Sequence, residues 1–154
     1  MNTSRRLLIG TTLFVAAGFK GPLLHAAPKS LVRVWKGPSC ECCDDWIQLL
    51  RGVGFDVQVS AQGNTDARVR LGLPDRYGSC HTAQVGGYAI EGHVPIREIQ
   101  RLLRERPKAV GLAVPGMPIG SPGMDGPQYS SRRDAYDVLL IDPVGRASIY
   151  ASYR

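Results

Sequence analysis

The chain has four cysteines, and three of them crowd into Cys40-Glu41-Cys42-Cys43, with the fourth, Cys80, well downstream. Cys40 and Cys43 alone have the C-x-x-C spacing of a redox pair, and Cys42 adds a third sulfur between them. Thiols at this density can bind soft metal ions, exchange disulfides or close structural cross-links. Two unit charges 4 Å apart repel by about 4 kcal/mol at an effective dielectric of about 20, so four free thiolates sharing one pocket need compensating charge.

A single monovalent ion would neutralise little of that charge, whereas several Cu(I) ions bridged by thiolates would bring the site near neutrality. Neighbouring residues on a helix diverge by about 100°, so Cys42 and Cys43 suit different ions better than one tetrahedral ion. Thiolate and thioether ligands select Cu(I), and C-x-C-C lacks the paired two-cysteine knuckles usual in structural zinc sites. The residues therefore point to a polynuclear, cysteine-bridged Cu(I) site made by Cys40, Cys42, Cys43 and Cys80. His93, Met117 and Met124 are further candidate ligands; both methionines occupy Pro-Gly-Met contexts, where they serve either as thioether ligands or as core filler. His81 ranks below His93, because residues adjacent in a strand face opposite sides.

These side chains must be positioned by the elements between them. Residues 31–35 alternate as a strand, and Lys36-Gly37-Pro38-Ser39 turns the chain into the cysteine cluster. A helix follows, with Trp46, Leu49, Leu50 and Val53 at helical spacing and with Asp44 and Asp45 in its first turn. Its positive end favours thiolate over thiol in cysteines placed there. Gly52 and Gly54 stop it, 55–59 form a second strand, and a short helix over 66–71 is capped by Asn64 or Thr65. Strands over 81–85 and 88–91 flank a Gly86-Gly87 hairpin turn. Pro95 opens a helix whose apolar stripe is Ile96, Ile99, Leu102 and Leu103.

The order β-α-β-α-β-β-α is the thioredoxin-like α/β plan, here with an appended Gly/Pro-rich loop (114–127) and a C-terminal β-hairpin over 137–141 and 147–153. In that plan the third strand runs antiparallel to the first. Cys80 then starts beside the end of the first strand, and the fourth strand brings His93 back to the same end.

Arg5 and Arg6 precede an apolar run over 7–19 that ends in small residues, which reads as an export signal over 1–27, cleaved to leave a domain over 28–154. The run is too short and too broken by glycine and threonine for a bilayer span of about 20 apolar residues. Either the secretory or the twin-arginine route fits. The periplasm is the expected compartment, with no membrane attachment after cleavage.

Removing Arg5, Arg6 and Lys20 lowers the formal charge from +6 to about +3. The remaining arginines are interleaved with acids, as in Arg97-Glu98 and 101–106, and no basic groove carries aromatics for base stacking. Nucleic acid is excluded as an expected partner.

With these motifs in view, the chain resembles the CopG-type family of bacterial copper-resistance proteins, once catalogued as a domain of unknown function. The resemblance rests on Cys40-Glu41-Cys42-Cys43-Asp44-Asp45-Trp46, Ser79-Cys80-His81-Thr82, Tyr88-Ala89-Ile90-Glu91-Gly92-His93-Val94-Pro95, Gly111-Leu112-Ala113-Val114-Pro115-Gly116-Met117-Pro118 and Gly120-Ser121-Pro122-Gly123-Met124. It implies a periplasmic thioredoxin-like protein that holds a cluster of Cu(I) ions through its cysteines and acts in copper handling or resistance. Copper ions, and proteins that donate or accept them, are the implied partners.

Two other readings compete. In one, Cys40 attacks a substrate disulfide and Cys43 resolves it, making the protein a periplasmic thiol–disulfide oxidoreductase. Against it, Cys42 and Cys80 would then be spare thiols in an oxidising space. In the other, the four cysteines close two structural disulfides, which the adjacency of Cys42 and Cys43 opposes on geometry.

Overall fold

Val32, Val34 and Lys36 alternate with Arg33 and Trp35, and in the computed structural model, which describes residues 30–154, this segment is strand β1 (Leu31–Lys36). The export segment expected at 1–27 lies outside the described residues. Helix α1 (Glu41–Gly52) follows, then β2 (Asp56–Ser60), α2 (Thr65–Arg70), β3 (His81–Val85), β4 (Tyr88–Glu91), α3 (Ile96–Glu105), β5 (Gly111–Ala113), β6 (Tyr136–Ile141) and β7 (Ala147–Tyr153). All seven strands join one sheet in the order β2-β1-β3-β4-β5-β6-β7. The chain is α/β, and its first seven elements follow the β-α-β-α-β-β-α order expected from sequence.

The strand directions decide where chemistry gathers. β2 lies parallel to β1, as a crossover through α1 requires, and β3 runs antiparallel to β1 with His81 opposite Lys36. β4 folds back on β3 through Gly86 and Gly87, with Glu91 opposite Thr82. The start of β3, the end of β1 and the end of β4 therefore share one end of the sheet.

The C-terminal hairpin is continuous with this sheet. β5 pairs parallel to β4, and β6 pairs antiparallel to β5. At three residues, β5 is too short to show an alternation, and the sequence reading passes over it. Gly111 allows the pairing, because a Cβ there would stand 1.7 Å from the Ala89 carbonyl oxygen.

Helix α1 packs on the sheet through Cys43, Trp46, Ile47 and Leu50, all fully buried. Leu49 and Val53, expected on the inner face, are 43% and 52% exposed, and Ile47 takes their place. The apolar residues allow two helical phases that share Trp46 and Leu50, and the packed phase is the one that also buries Cys43. Trp46 Nε1 donates to the Val94 carbonyl at 2.9 Å, tying α1 to the segment after β4. Ile99 and Leu102 of α3 belong to the same buried cluster as Val85, Ile90 and Val138. Asn64 stands before α2 but does not cap it; its side-chain amide donates instead to Ser79 O at 3.1 Å and Thr82 Oγ1 at 3.2 Å. Among the described residues, no helix is long and apolar enough to cross a membrane.

Candidate metal centre

β1 delivers the chain to that end of the sheet, and the turn after it places Cys40 at the N-cap of α1, with Cys42 and Cys43 in the first helical turn. Unpaired backbone N–H groups there offer partial positive charge to sulfur. Lys36 adds a full charge from below. Period-two alternation turns it toward the core with Val32 and Val34, and its ammonium donates to Cys40 O at 3.2 Å and Asp44 Oδ2 at 3.1 Å. The sequence reading missed Lys36, although its place in the alternation was the available signal.

Cys40 and Cys43 are joined by a disulfide with their Cα atoms 5.4 Å apart, while Cys42 and Cys80 are free. Cys42 Sγ is 3.6 Å from Cys40 Sγ, and Cys43 Sγ is 3.8 Å from the Cys80 carbonyl oxygen. All four sulfur atoms lie within 4.8 Å of one another. Cys43 is fully buried and Cys42 partly exposed, the divergence expected of neighbours on a helix.

Cys80 comes from the segment just before β3, and a buried polar network fixes that segment. The Glu91 carboxylate accepts from Ser79 N at 2.7 Å, Thr82 Oγ1 at 2.6 Å and Arg68 Nε at 3.0 Å. Arg68 also donates to Ser79 O at 2.9 Å and to Asp75 Oδ1 at 2.7 Å. Burial pushes the Glu91 carboxyl above the ordinary carboxylate range, and the donors from Thr82, Ser79 and Arg68 pull against it. The Cys80 thiol lies off the helix end, and burial, with the nearby Cys42 charge, pushes it up to about 12.

Two histidines close the other side. His93 Nε2 is 3.1 Å from Cys80 Sγ, while its Nδ1 lies 2.8 Å from the Pro122 carbonyl oxygen. A carbonyl only accepts, so Nδ1 carries the proton and Nε2 turns its lone pair toward the sulfur. His81 also reaches Cys80, with Nδ1 at 3.4 Å. The ranking of His81 below His93 rests on an alternation that holds only between residues within a strand. β3 begins at His81, so alternation does not separate the two residues. Both imidazoles are fully buried, and desolvation lowers the pKa of each, that of His81 to about 3.

The Gly/Pro-rich loop forms a wall of the pocket. Ser79 Oγ donates to Gly116 O, and Gly116 N donates to Gly78 O at 3.2 Å, which anchors the segment carrying Met117. Met117 itself is 51% exposed. Met124 is buried, and its sulfur accepts from Tyr129 Oη at 3.3 Å. Gly123 has φ +83, and a Cβ there would lie 2.7 Å from Cys42 O and 2.9 Å from Trp46 N. Gly123→Ala combines backbone strain with a clash against α1, and it should cost about 1–3 kcal/mol in urea-induced unfolding. A loss below about 0.5 kcal/mol would mean that the loop does not rest on the helix.

Residues 77–124, which include Cys80 and both histidines, match the family described as "Protein of unknown function, DUF411". Two solved structures resemble the whole fold. "Copper resistance protein copG- Form 2" is 44% identical at a TM-score of 0.73, covering 82% of this chain and 99% of that chain. "Copper resistance protein copG- Form 1" has the same identity and TM-score, with coverage of 80% and 96%. No curated protein matches. A relative this similar over nearly its full length shows that the chain belongs to the CopG family of copper resistance proteins.

Proposed function

We propose that the protein binds Cu(I) as cargo in a polynuclear, cysteine-bridged cluster and acts in copper handling in the periplasm. The observation that carries this reading is the convergence of four sulfur atoms within 4.8 Å at one end of the sheet. Such a set suits soft monovalent ions, and bridging by shared thiolates relieves the charge that four separate thiolates would concentrate. In this role the Cys40–Cys43 pair is open and reduced. Lys36 and the start of α1 then offset the remaining negative charge.

His93 supplies a neutral nitrogen from the opposite wall, with its tautomer fixed by Pro122 O. Met117, exposed on the loop anchored to Ser79, is the thioether that would pass Cu(I) between the pocket and a donor or acceptor protein, and Met124, buried with its sulfur accepting from Tyr129, is the second candidate thioether. The apolar leader over 1–27 supports export.

Anaerobic titration of the fully reduced domain over 28–154 with Cu(I) should give more than one equivalent, and Cys80→Ser should lose at least one. Unchanged stoichiometry would remove Cys80 from the site. Uptake of one zinc ion with little copper would overturn the cluster.

The disulfide keeps thiol exchange through Cys40 and Cys43 as a second reading. Cys42, with its sulfur 3.6 Å from that of Cys40, weakens it, since a third thiol in reach of the pair would capture the mixed disulfide. Sustained insulin reduction by the metal-free protein would favour exchange over copper binding.

A further inference from the structure

The sulfur pocket has a nitrogen-bearing side that is a complete ligand set in its own right. One ligand atom from each of Cys80, His81 and His93 lies within 4.8 Å of the other two. Cys80 Sγ is 3.1 Å from His93 Nε2 and 3.4 Å from His81 Nδ1. With metal–sulfur and metal–nitrogen bonds of about 2.3 and 2.05 Å, those separations correspond to S–metal–N angles of about 90° and 100°. One ion can therefore span each pair without moving the backbone. Both imidazoles are fully buried; His81 reaches Cys80 through Nδ1, while its buried Nε2 has no hydrogen-bond partner.

The redox form matters. With Cys40 and Cys43 joined, two sulfurs are no longer thiolates, and a thiolate is what a metal ion binds. The all-sulfur set is then reduced to Cys42 and Cys80, while the Cys80–His81–His93 set is intact. Mixed imidazole and thiolate donors suit divalent ions of borderline softness better than hard oxygen-seeking cations, and the Glu91 carboxylate is committed to Ser79, Thr82 and Arg68.

We propose that the disulfide form holds one divalent transition ion at Cys80, His81 and His93. Exchange of the reduced Cys40–Cys43 pair with a small-molecule disulfide, which takes both protons and leaves as two thiols, releases the bridged Cu(I) ions and so changes the pocket from a Cu(I) cluster site into a mononuclear thiolate–bis-imidazole site. The Cu(I) half of this statement rests on the function proposed above; the divalent site does not. Ion binding displaces the Cys80 proton to solvent and leaves a fourth coordination position for water.

The test is a Co(II) titration of protein with the disulfide closed and two titratable thiols. One equivalent should bind, with tetrahedral visible bands, a near-ultraviolet thiolate-to-cobalt band and two hyperfine-shifted imidazole N–H resonances. His81→Gln should weaken binding by at least about 100-fold, beyond the loss typical of residues that only support a ligand. Absence of the thiolate band, or wild-type affinity in His81→Gln, overturns the proposal. Should that variant fail to fold, the wild-type spectrum decides, since fewer than two shifted imidazole protons overturns it equally. The two readings separate by redox form. Cobalt uptake by the disulfide form without multiple copper equivalents in the reduced form overturns the cluster and supports this site. The reverse result overturns this site alone.

Discussion

Alkylation of Cys80 by iodoacetamide in the metal-free disulfide form should be about three orders of magnitude slower at pH 8 than that of an ordinary exposed thiol. The thiolate is the reactive species, and a free cysteine with a pKa of about 8.5 is roughly a quarter ionised at that pH. Burial and the Cys42 charge push Cys80 up to about 12, which leaves about one thiolate in ten thousand. The sign follows from proton occupancy. Below its raised pKa Cys80 stays protonated, so its rate should climb about tenfold per pH unit from pH 8 to 11 instead of levelling near 9. Mass-resolved labelling of Cys42 and Cys80 separates the two free thiols. A Cys80 rate that levels near pH 9 would mean that the pocket does not exclude water from this sulfur. Because a metal ion must displace the same proton, uptake at Cys80 should also strengthen with rising pH.

Glu91→Ala should destabilise the fold by about 3–5 kcal/mol, the range for removing one partner of a buried ion pair. The substitution strips Arg68 of its buried counter-charge, leaving it only the exposed Asp75. It also leaves Ser79 N and Thr82 Oγ1 without an acceptor. Glu91→Gln retains an acceptor oxygen and the side-chain shape, and it should cost clearly less. Urea-induced unfolding of both variants checks the ordering. Equal and small losses would show that Arg68 finds water or another acceptor. Since the network grips both the N–H and the C=O of Ser79, the residue before Cys80, the alanine variant should also loosen the placement of that sulfur.

Much of this architecture can be read from local pattern. Gly86-Gly87 between two apolar runs specifies the β3–β4 hairpin, Pro95 marks the start of α3, and the cysteine cluster sits where a strand hands over to a helix. Once β3 is placed antiparallel to β1, the approach of Cys80 and His93 to the cluster follows from topology. The misses share a cause. Arg68 lies on a short polar helix and looks solvated, because the partner that buries it, Glu91, is on a distant strand. Leu49 and Val53 satisfy helical spacing as well as Ile47 does, and only the sheet selects the face. His81 ranks below His93 on an alternation rule that holds only within a strand, and Cys80 lies just outside β3, so both imidazoles reach its sulfur. A pairwise partner, a helical phase and a strand boundary are each decided by tertiary contact.

The three clustered sulfurs differ from the fourth in one respect that bears on thermodynamics. Cys40, Cys42 and Cys43 are neighbours in any conformation of the chain, whereas bringing Cys43 to Cys80 closes a loop of 37 residues. By the logarithmic scaling of chain closure, that encounter costs about 3 kcal/mol of entropy before any contact repays it. A denatured, reduced chain thus retains a three-sulfur claw of its own. Copper will bind the unfolded ensemble as well as the native one, so its gain in melting temperature should fall short of what native affinity alone dictates.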